Sequence, residues 1–252
     1  MLRLENVSLE IGEKKILDDI NFELKKNTKL MVIGHNGAGK SSLAKAITQN
    51  IKYKGKIYFE NKDLQYMKAT ERAKAIGYLM QTNYIEYPFT VEEIVSFGRY
   101  PYRKGILDTQ SELDKKMIDS AIETMEIENI RTRSANFLSG GELQKVFLAQ
   151  VLAQDPKILI LDEVTNHLDI SIQEKIFSLI DSWVKKGDRA VISIVHDLTL
   201  AKLFSDNILL LQKGKIVAEG KASQIFKEEN INKAYNFDVI SWMKKRAKIW
   251  IE

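Results

Sequence analysis

Residues Gly34-His35-Asn36-Gly37-Ala38-Gly39-Lys40-Ser41 match the pattern G-x-x-x-x-G-K-[ST], which restricts the fold of this 252-residue chain more tightly than any other stretch. The pattern works only where a strand runs into the loop and a helix opens from it. Leu30-Met31-Val32-Ile33 supply the strand, an apolar run with β-branched members, and Leu43, Ala44 and Ile47 recur afterwards at helical spacing. In such a loop the backbone N–H groups cradle phosphates, Lys40 neutralises the β- and γ-oxygens, and Ser41 holds Mg²⁺ through its hydroxyl, with Ser42 beside it.

A second apolar run, Ile158-Leu159-Ile160-Leu161, ends in Asp162-Glu163. A buried parallel strand that delivers carboxylates at its C-terminal end is where an α/β fold keeps its active site. Asp162 is expected to support the Mg²⁺ through its water shell, and Glu163 to act as base on the water attacking a γ-phosphate. Leu138-Ser139-Gly140-Gly141-Glu142 forms a second glycine-rich turn, standing ahead of that acidic strand end. Its glycines allow close backbone approach to an anion, and the helix opening near Glu142 adds the positive end of its dipole. A surface turn with Ser139 as helix cap is the other reading of the same five residues. His196 follows the apolar stretch Ala190 to Val195 and precedes Asp197, which suits a strand-end hydrogen bond to phosphate. Gln81 follows Ile76-Gly77-Tyr78-Leu79-Met80.

Together these motifs resemble those of the ATP-binding cassette (ABC) family, the nucleotide-hydrolysing subunits of transporters, from about residue 2 to residue 220. Gly34 to Ser41 resembles the family's Walker A, Ile158 to Glu163 its Walker B, and Leu138 to Glu142 with Gln144 its signature. Thr165-Asn166-His167-Leu168-Asp169 is similar to the D-loop region, His196 to the switch histidine and Gln81 to the Q-loop glutamine. The resemblance implies an α/β fold: a P-loop NTPase core with an antiparallel β subdomain and an inserted α-helical subdomain. It implies ATP and Mg²⁺ as cofactors, with the metal near Ser41, Gln81 and Asp162, and a head-to-tail homodimer. ATP held by Lys40 and Ser41 of one copy is then covered by Ser139, Gly140, Gly141 and Glu142 of the other, with Asp169 nearby. Gln81 touches metal or attacking water and links the site to a membrane permease, itself fed by a substrate-binding protein. No nucleic-acid partner is implied.

The chain departs from the family at three positions. Ile11 stands where the family usually has an aromatic residue stacked on adenine, which removes a stacking contribution of about 1 kcal/mol. Val164 replaces the usual Pro after Asp-Glu, and His35 another frequent Pro. The segment Pro88 to Tyr102, with its Gly98-Arg99-Tyr100-Pro101-Tyr102 run, resembles importer ATPases for ferric siderophores, haem and cobalamin. In those importers this surface receives a permease helix, and Arg and aromatic side chains suit such an interface.

Composition narrows the classes further. No apolar run approaches the roughly 18 residues that span a bilayer, and the N-terminus lacks a signal peptide's apolar region, so a cytoplasmic subunit held at the inner membrane face by its permease is expected. Zero cysteines exclude disulfides and thiolate metal sites, and the three histidines are scattered. The net charge of +4, from 38 basic and 34 acidic residues, is mild. Lys244, Lys245, Arg246 and Lys248 cluster between Trp242 and Trp250, and are expected on a helix whose Trp residues pack on the core; lipid headgroups are the other reading.

Short strands punctuated by Gly12 and Gly55 are expected to about Phe59, and a mainly helical stretch over 82–156. There a Thr90/Glu93 capping box opens one helix, while Met117, Ile118, Ala121, Ile122 and Met125 mark the core face of another. Strands alternate with helices from Lys157 to about Lys213, giving an ATPase domain over 1–220 and an extension over 221–252.

Two competing functions remain open. A soluble ABC ATPase switch in translation or DNA repair would be expected to carry a second cassette or a long coiled coil, and the chain shows neither. Asn61-Lys62-Asp63-Leu64 superficially resembles the guanine-reading N-K-x-D motif of GTPases, yet Leu64 stands where the carboxylate is needed.

Overall fold

The computed structural model describes residues 1–81, 85–103, 105, 109–165 and 168–249. Thr82, Asn166, His167 and Trp250 lie outside the described residues. The chain forms two compact units, one of residues 1–65 and 192–252, the other of residues 66–191.

In the first unit, β1 (Leu2–Ile11) turns at Gly12 and pairs antiparallel with β2 (Lys14–Leu24), from Leu2 opposite Leu24 to Ile11 opposite Lys14. Leu2, Leu4, Val7 and Leu9 are buried, an alternation shifted by one residue where the ladder bulges between Leu4 and Val7. Next come β3 (Thr28–Ile33), the glycine-rich loop and α1 (Lys40–Ile47). Leu43, Ala44 and Ile47 are buried, so the helical spacing read from the sequence is that of a core face. Strands β4 (Lys54–Phe59) and β5 (Lys62–Asp63) complete a four-stranded antiparallel sheet in the order β2-β1-β4-β5. The Asn61-Lys62-Asp63-Leu64 segment is used by this hairpin: the Asp63 carboxylate accepts from Gln65 N at 3.0 Å.

The second unit opens with α2 (Ala69–Ala75) and β6 (Ile76–Leu79). Helices α3 (Val91–Phe97), α4 (Glu112–Thr124) and α5 (Gly140–Ala153) follow. Thr90 and Glu93 form the expected capping box, with Glu93 N donating to Thr90 Oγ1 and Thr90 N to Glu93 Oε2. Ile118, Ala121, Ile122 and Met125 are buried against the unit's core. Strand β7 (Ile158–Asp162) is buried throughout and pairs in parallel with β6, setting Tyr78 opposite Ile160. After α6 (Ile170–Lys185) the chain enters β8 (Ala190–Ile194), which begins in this unit and ends in the first.

Back in the first unit, α7 (Leu198–Phe204) leads to β9 (Asn207–Gln212), parallel to β3, and β10 (Lys215–Gly220), antiparallel to β9. The extension is helical: α8 (Ala222–Ile225), α9 (Glu228–Tyr235) and α10 (Val239–Lys248). Trp242 differs from expectation. It is 49% exposed and meets the equally exposed Phe237 edge-on at 6.4 Å rather than packing on the core. The reason is local: Asp238 caps α10 immediately after a left-handed Asn236, and that turn leaves only Val239 of the helix buried.

Candidate functional site

Gly34 follows directly on the buried end of β3 with φ of +151°, and an added Cβ would lie 2.2 Å from the Leu211 carbonyl oxygen, so only glycine starts this loop. Lys40 opens α1 and is 5% exposed. Its ammonium donates to the carbonyls of Gly34 at 2.9 Å and His35 at 3.2 Å, which holds the positive charge inside the loop. Ala38 N donates to His35 O at 3.1 Å, and Gly214 N to Ala38 O at 3.0 Å. No side chain caps α1 at Gly39, so Ser41 and Ser42 stand in a first turn whose amides point toward the loop, as anion binding requires. His35 Nδ1 lies 2.6 Å from Asn36 O.

His196 is exposed just past β8, where Val195 N donates to Val32 O at 3.3 Å and brings this strand end beside that of β3. Asp197 caps α7, its Oδ1 accepting from Thr199 N at 2.7 Å and Leu200 N at 3.2 Å. Ile11 is 54% exposed at the end of β1, an aliphatic surface at the position where the family usually carries an aromatic residue.

In the second unit β7 carries Asp162, which is buried, and Glu163 follows it at 9% exposure. Glu163 has φ of +56°, a left-handed backbone that costs a β-unbranched residue about 1 kcal/mol or more and is concentrated at functional sites. Gln81 Nε2 donates to Glu163 Oε2 at 2.7 Å, so the two residues singled out separately in the sequence meet. Tyr78, which the sequence reading passed over, donates its hydroxyl to Asp162 Oδ2 at 3.2 Å. Burial, with the Asp162 charge adding to it, pushes the Tyr78 phenol well above its ordinary pKa and keeps it a donor. Only the parallel β6–β7 register reveals that partnership.

Ser139 caps α5 through a capping box, accepting from Glu142 N at 3.3 Å while its hydroxyl donates to Glu142 Oε2 at 2.8 Å. The two hydrogen bonds from Ser139 backbone and hydroxyl hold Glu142 below the usual carboxylate range. A Cβ on Gly140 would meet nothing, and one on Gly141 only Ile172 and Leu168 side chains at ordinary distance. Asp169 stands at the start of α6 without a side-chain capping bond, while Gln173 Nε2 donates to Thr165 O and Leu168 O at 3.0 Å each.

The Gly98 to Tyr102 run is a brace inside the second unit. Arg99 is 2% exposed, its Nε donating to Asp114 Oδ1 and its Nη1 to Ala153 O, both at 2.7 Å. Its guanidinium lies 3.8 Å from the centre of the Tyr102 ring, whose hydroxyl donates to Gln154 O at 3.0 Å. A Cβ on Gly98 would come within 2.1 Å of Gln150 O. Arg99 is therefore not the interface residue expected from the sequence, since its donors are spent joining the ends of α3, α4 and α5. Tyr100 is the exposed member, stacked on Phe97 at 5.6 Å.

Residues 17–166 match the family model described as ABC transporter. The petrobactin import ATP-binding protein YclP of Bacillus subtilis is 33% identical over 95% of this chain and 94% of its own length. The hemin import ATP-binding protein HmuV of Shewanella denitrificans is 32% identical over 94% of each chain. YvrA, an uncharacterized ABC transporter ATP-binding protein of Bacillus subtilis, is 33% identical over 94% of this chain, which spans 54% of it. Among solved structures, the ADP conformation of MJ1267, an ATP-binding cassette of an ABC transporter, superposes with a TM-score of 0.81 at 27% identity, over 93% of this chain and 96% of that one. The dimeric cassette MJ0796 does so at 0.77 and 28%, over 88% and 99%. A family match over more than half the chain, together with near full-length relatives above 30% identity, makes this chain a member of the ABC transporter family, an ATP-binding protein and an ATPase.

Proposed function

We propose that this chain powers uptake of an iron chelate, haem or cobalamin through a separate membrane permease, as a homodimer at the inner face of the membrane. The observation that carries the reading is the 2.7 Å bond between Gln81 and Glu163, which ties the proposed hydrolytic base to the residue that senses the permease. Relatives named for petrobactin and hemin import support the cargo class. No described helix is long and apolar enough to cross a membrane, so a separate membrane component is required by the reading.

The phosphate loop Gly34, His35, Asn36, Gly37, Ala38, Gly39, Lys40, Ser41 and Ser42 binds the nucleotide. Lys40 turns its ammonium from the Gly34 and His35 carbonyls to the phosphate oxygens. The proposed metal donors, Ser41, Gln81 and Asp162, all offer oxygen, which fits Mg²⁺. When bound, that ion neutralises charge developing on the phosphates. Glu163 takes the proton of the attacking water, Gln81 orients its carboxylate, and His196 donates to the γ-phosphate.

Ser139, Gly140, Gly141, Glu142 and Asp169 act on the nucleotide of the partner copy. Two glycines in a first helical turn cost roughly 1 kcal/mol each relative to Ala, and nothing within this chain crowds either position. A demand from outside the chain accounts for them, and the dimeric MJ0796 cassette offers the precedent. We assign residues 1–220 to the ATPase domain, with 82–156 as its inserted helical part, and 221–252 to an extension.

The test is reconstitution with the permease and binding protein, followed by ATP-dependent uptake of ferric siderophore, haem and cobalamin in parallel. Uptake of one of the three is expected. Uptake of a sugar or amino acid alone would remove the cargo assignment, and co-purification with ribosomes or DNA rather than membranes would favour a soluble switch.

A further inference from the structure

Strand β6 and the residues just after it hold both carboxylates at the end of β7. Gln81 donates to Glu163, and Tyr78, three residues earlier, donates its hydroxyl to Asp162 Oδ2 at 3.2 Å. The Tyr78 bond follows from the strand register. Tyr78 lies opposite Ile160, and side chains alternate along a strand, so Tyr78 and Asp162, two residues beyond Ile160, share one face of the sheet. The strand is held closely in that place. Lys157 N donates to Ala75 O at 2.9 Å and Gln154 Nε2 to Ile76 O at 3.1 Å, while a Cβ on Gly77 would lie 2.7 Å from Val151 Cγ1 and 2.8 Å from Pro156 Cγ. Asp162 is 3% exposed and Tyr78 half-buried, so water competes little for the bond.

Of the proposed metal donors Ser41, Gln81 and Asp162, only Asp162 is a carboxylate. Calcium takes carboxylates with one or both oxygens in a flexible shell, whereas magnesium demands near-ideal octahedral geometry at shorter distances. A carboxylate oxygen that accepts from a phenol has less charge to offer a cation, and the bond keeps the group from swinging to clasp an ion with both oxygens. We infer that Tyr78 is a positioning residue that sets metal specificity, holding Asp162 in an orientation that favours Mg²⁺ over Ca²⁺ beside the nucleotide. This rests on Asp162 being a metal donor in the proposed ATP site.

Binding of a non-hydrolysable ATP analogue to full-length wild type, Tyr78→Phe and Ile160→Val is to be measured by calorimetry with saturating Mg²⁺, with saturating Ca²⁺ and with a chelator, together with Tm without nucleotide. Tyr78→Phe keeps the ring and removes the hydroxyl. It is expected to weaken binding of the Mg²⁺ form about three- to tenfold, the worth of one hydrogen bond, with the Ca²⁺ and chelator values within about twofold of wild type. The preference for Mg²⁺ over Ca²⁺ falls by the same factor. Tyr78→fluorotyrosine, nearly the same shape and a stronger donor, should move the preference the other way. Ile160→Val, a packing change at the residue opposite Tyr78, should lower Tm and leave the preference unchanged. A preference in both Tyr78 variants within about twofold of wild type would overturn the inference, and so would an equal loss under all three conditions, which is what a purely structural role predicts. If wild type binds the analogue equally well with and without metal, the metal assignment of Asp162 fails and the inference with it. If wild type binds under none of the conditions, the nucleotide assignment of the phosphate loop fails as well.

Discussion

Gln81 and Glu163 stand 82 residues apart in sequence and share a 2.7 Å hydrogen bond from amide Nε2 to carboxylate Oε2. The bond fixes the orientation of the carboxylate proposed as the base. Since Glu163 is also buried and held in a left-handed backbone, its orientation is set by the fold before any substrate arrives.

Glu163→Gln keeps an acceptor for Gln81 and removes only the basicity. Hydrolysis should fall by about 10²–10⁴-fold with ATP affinity preserved, and the stalled ATP complex should elute as a dimer. Single-turnover hydrolysis and size exclusion with ATP check this; a rate near wild type would take Glu163 out of the chemistry.

Ser139→Arg should abolish hydrolysis while the isolated chain still binds ATP. The capping box adds a second expectation, a stability loss of about 0.5–2 kcal/mol, which Ser139→Asp should largely avoid. Urea unfolding separates the two effects. If ATP binding to the monomer is lost instead, the segment serves its own chain.

Arg99→Ala strands the Asp114 carboxylate in the interior and should cost about 3–5 kcal/mol by urea denaturation. The folded fraction should bind ATP normally, because the brace lies away from the phosphate loop in sequence and in hydrogen bonding.

Stability should also depend on Asp114 at acid pH. Burial works to raise this carboxyl, and hydrogen bonds from Ser111 and Arg99 outweigh it, leaving the group below its ordinary range. A depressed folded-state pKa gives stability that is complete above the unfolded value, near ~3.9, and is lost as pH falls through the folded one. Asp114→Asn should therefore be less stable at pH 7 and lose less than wild type between pH 5 and pH 2, as followed by Tm.

Ile11→Tyr should tighten ATP about fivefold if an aromatic face at this exposed position recovers roughly 1 kcal/mol of stacking. Calorimetry against ATP and GTP checks both the gain and its base selectivity. An unchanged affinity would mean that adenine rests elsewhere.

The phosphate loop and the acidic strand end could be read from residues alone because their requirements are local. A strand of Leu30 to Ile33, a Gly34 without side chain and a helix of Leu43, Ala44 and Ile47 all fall within one short stretch, and each residue type answers to its own backbone. The capping boxes at Thr90 and Ser139 are local in the same sense. Arg99 shows where such reading stops, since its type suits an exposed interface and a buried brace equally well. Its partners Asp114 and Ala153 are 15 and 54 residues away, and helix packing selects them. Tyr78 reaches Asp162 only through the β6–β7 register. Local backbone chemistry writes a motif into a few neighbouring residues, whereas the partner of a side chain depends on where distant segments come to rest against each other.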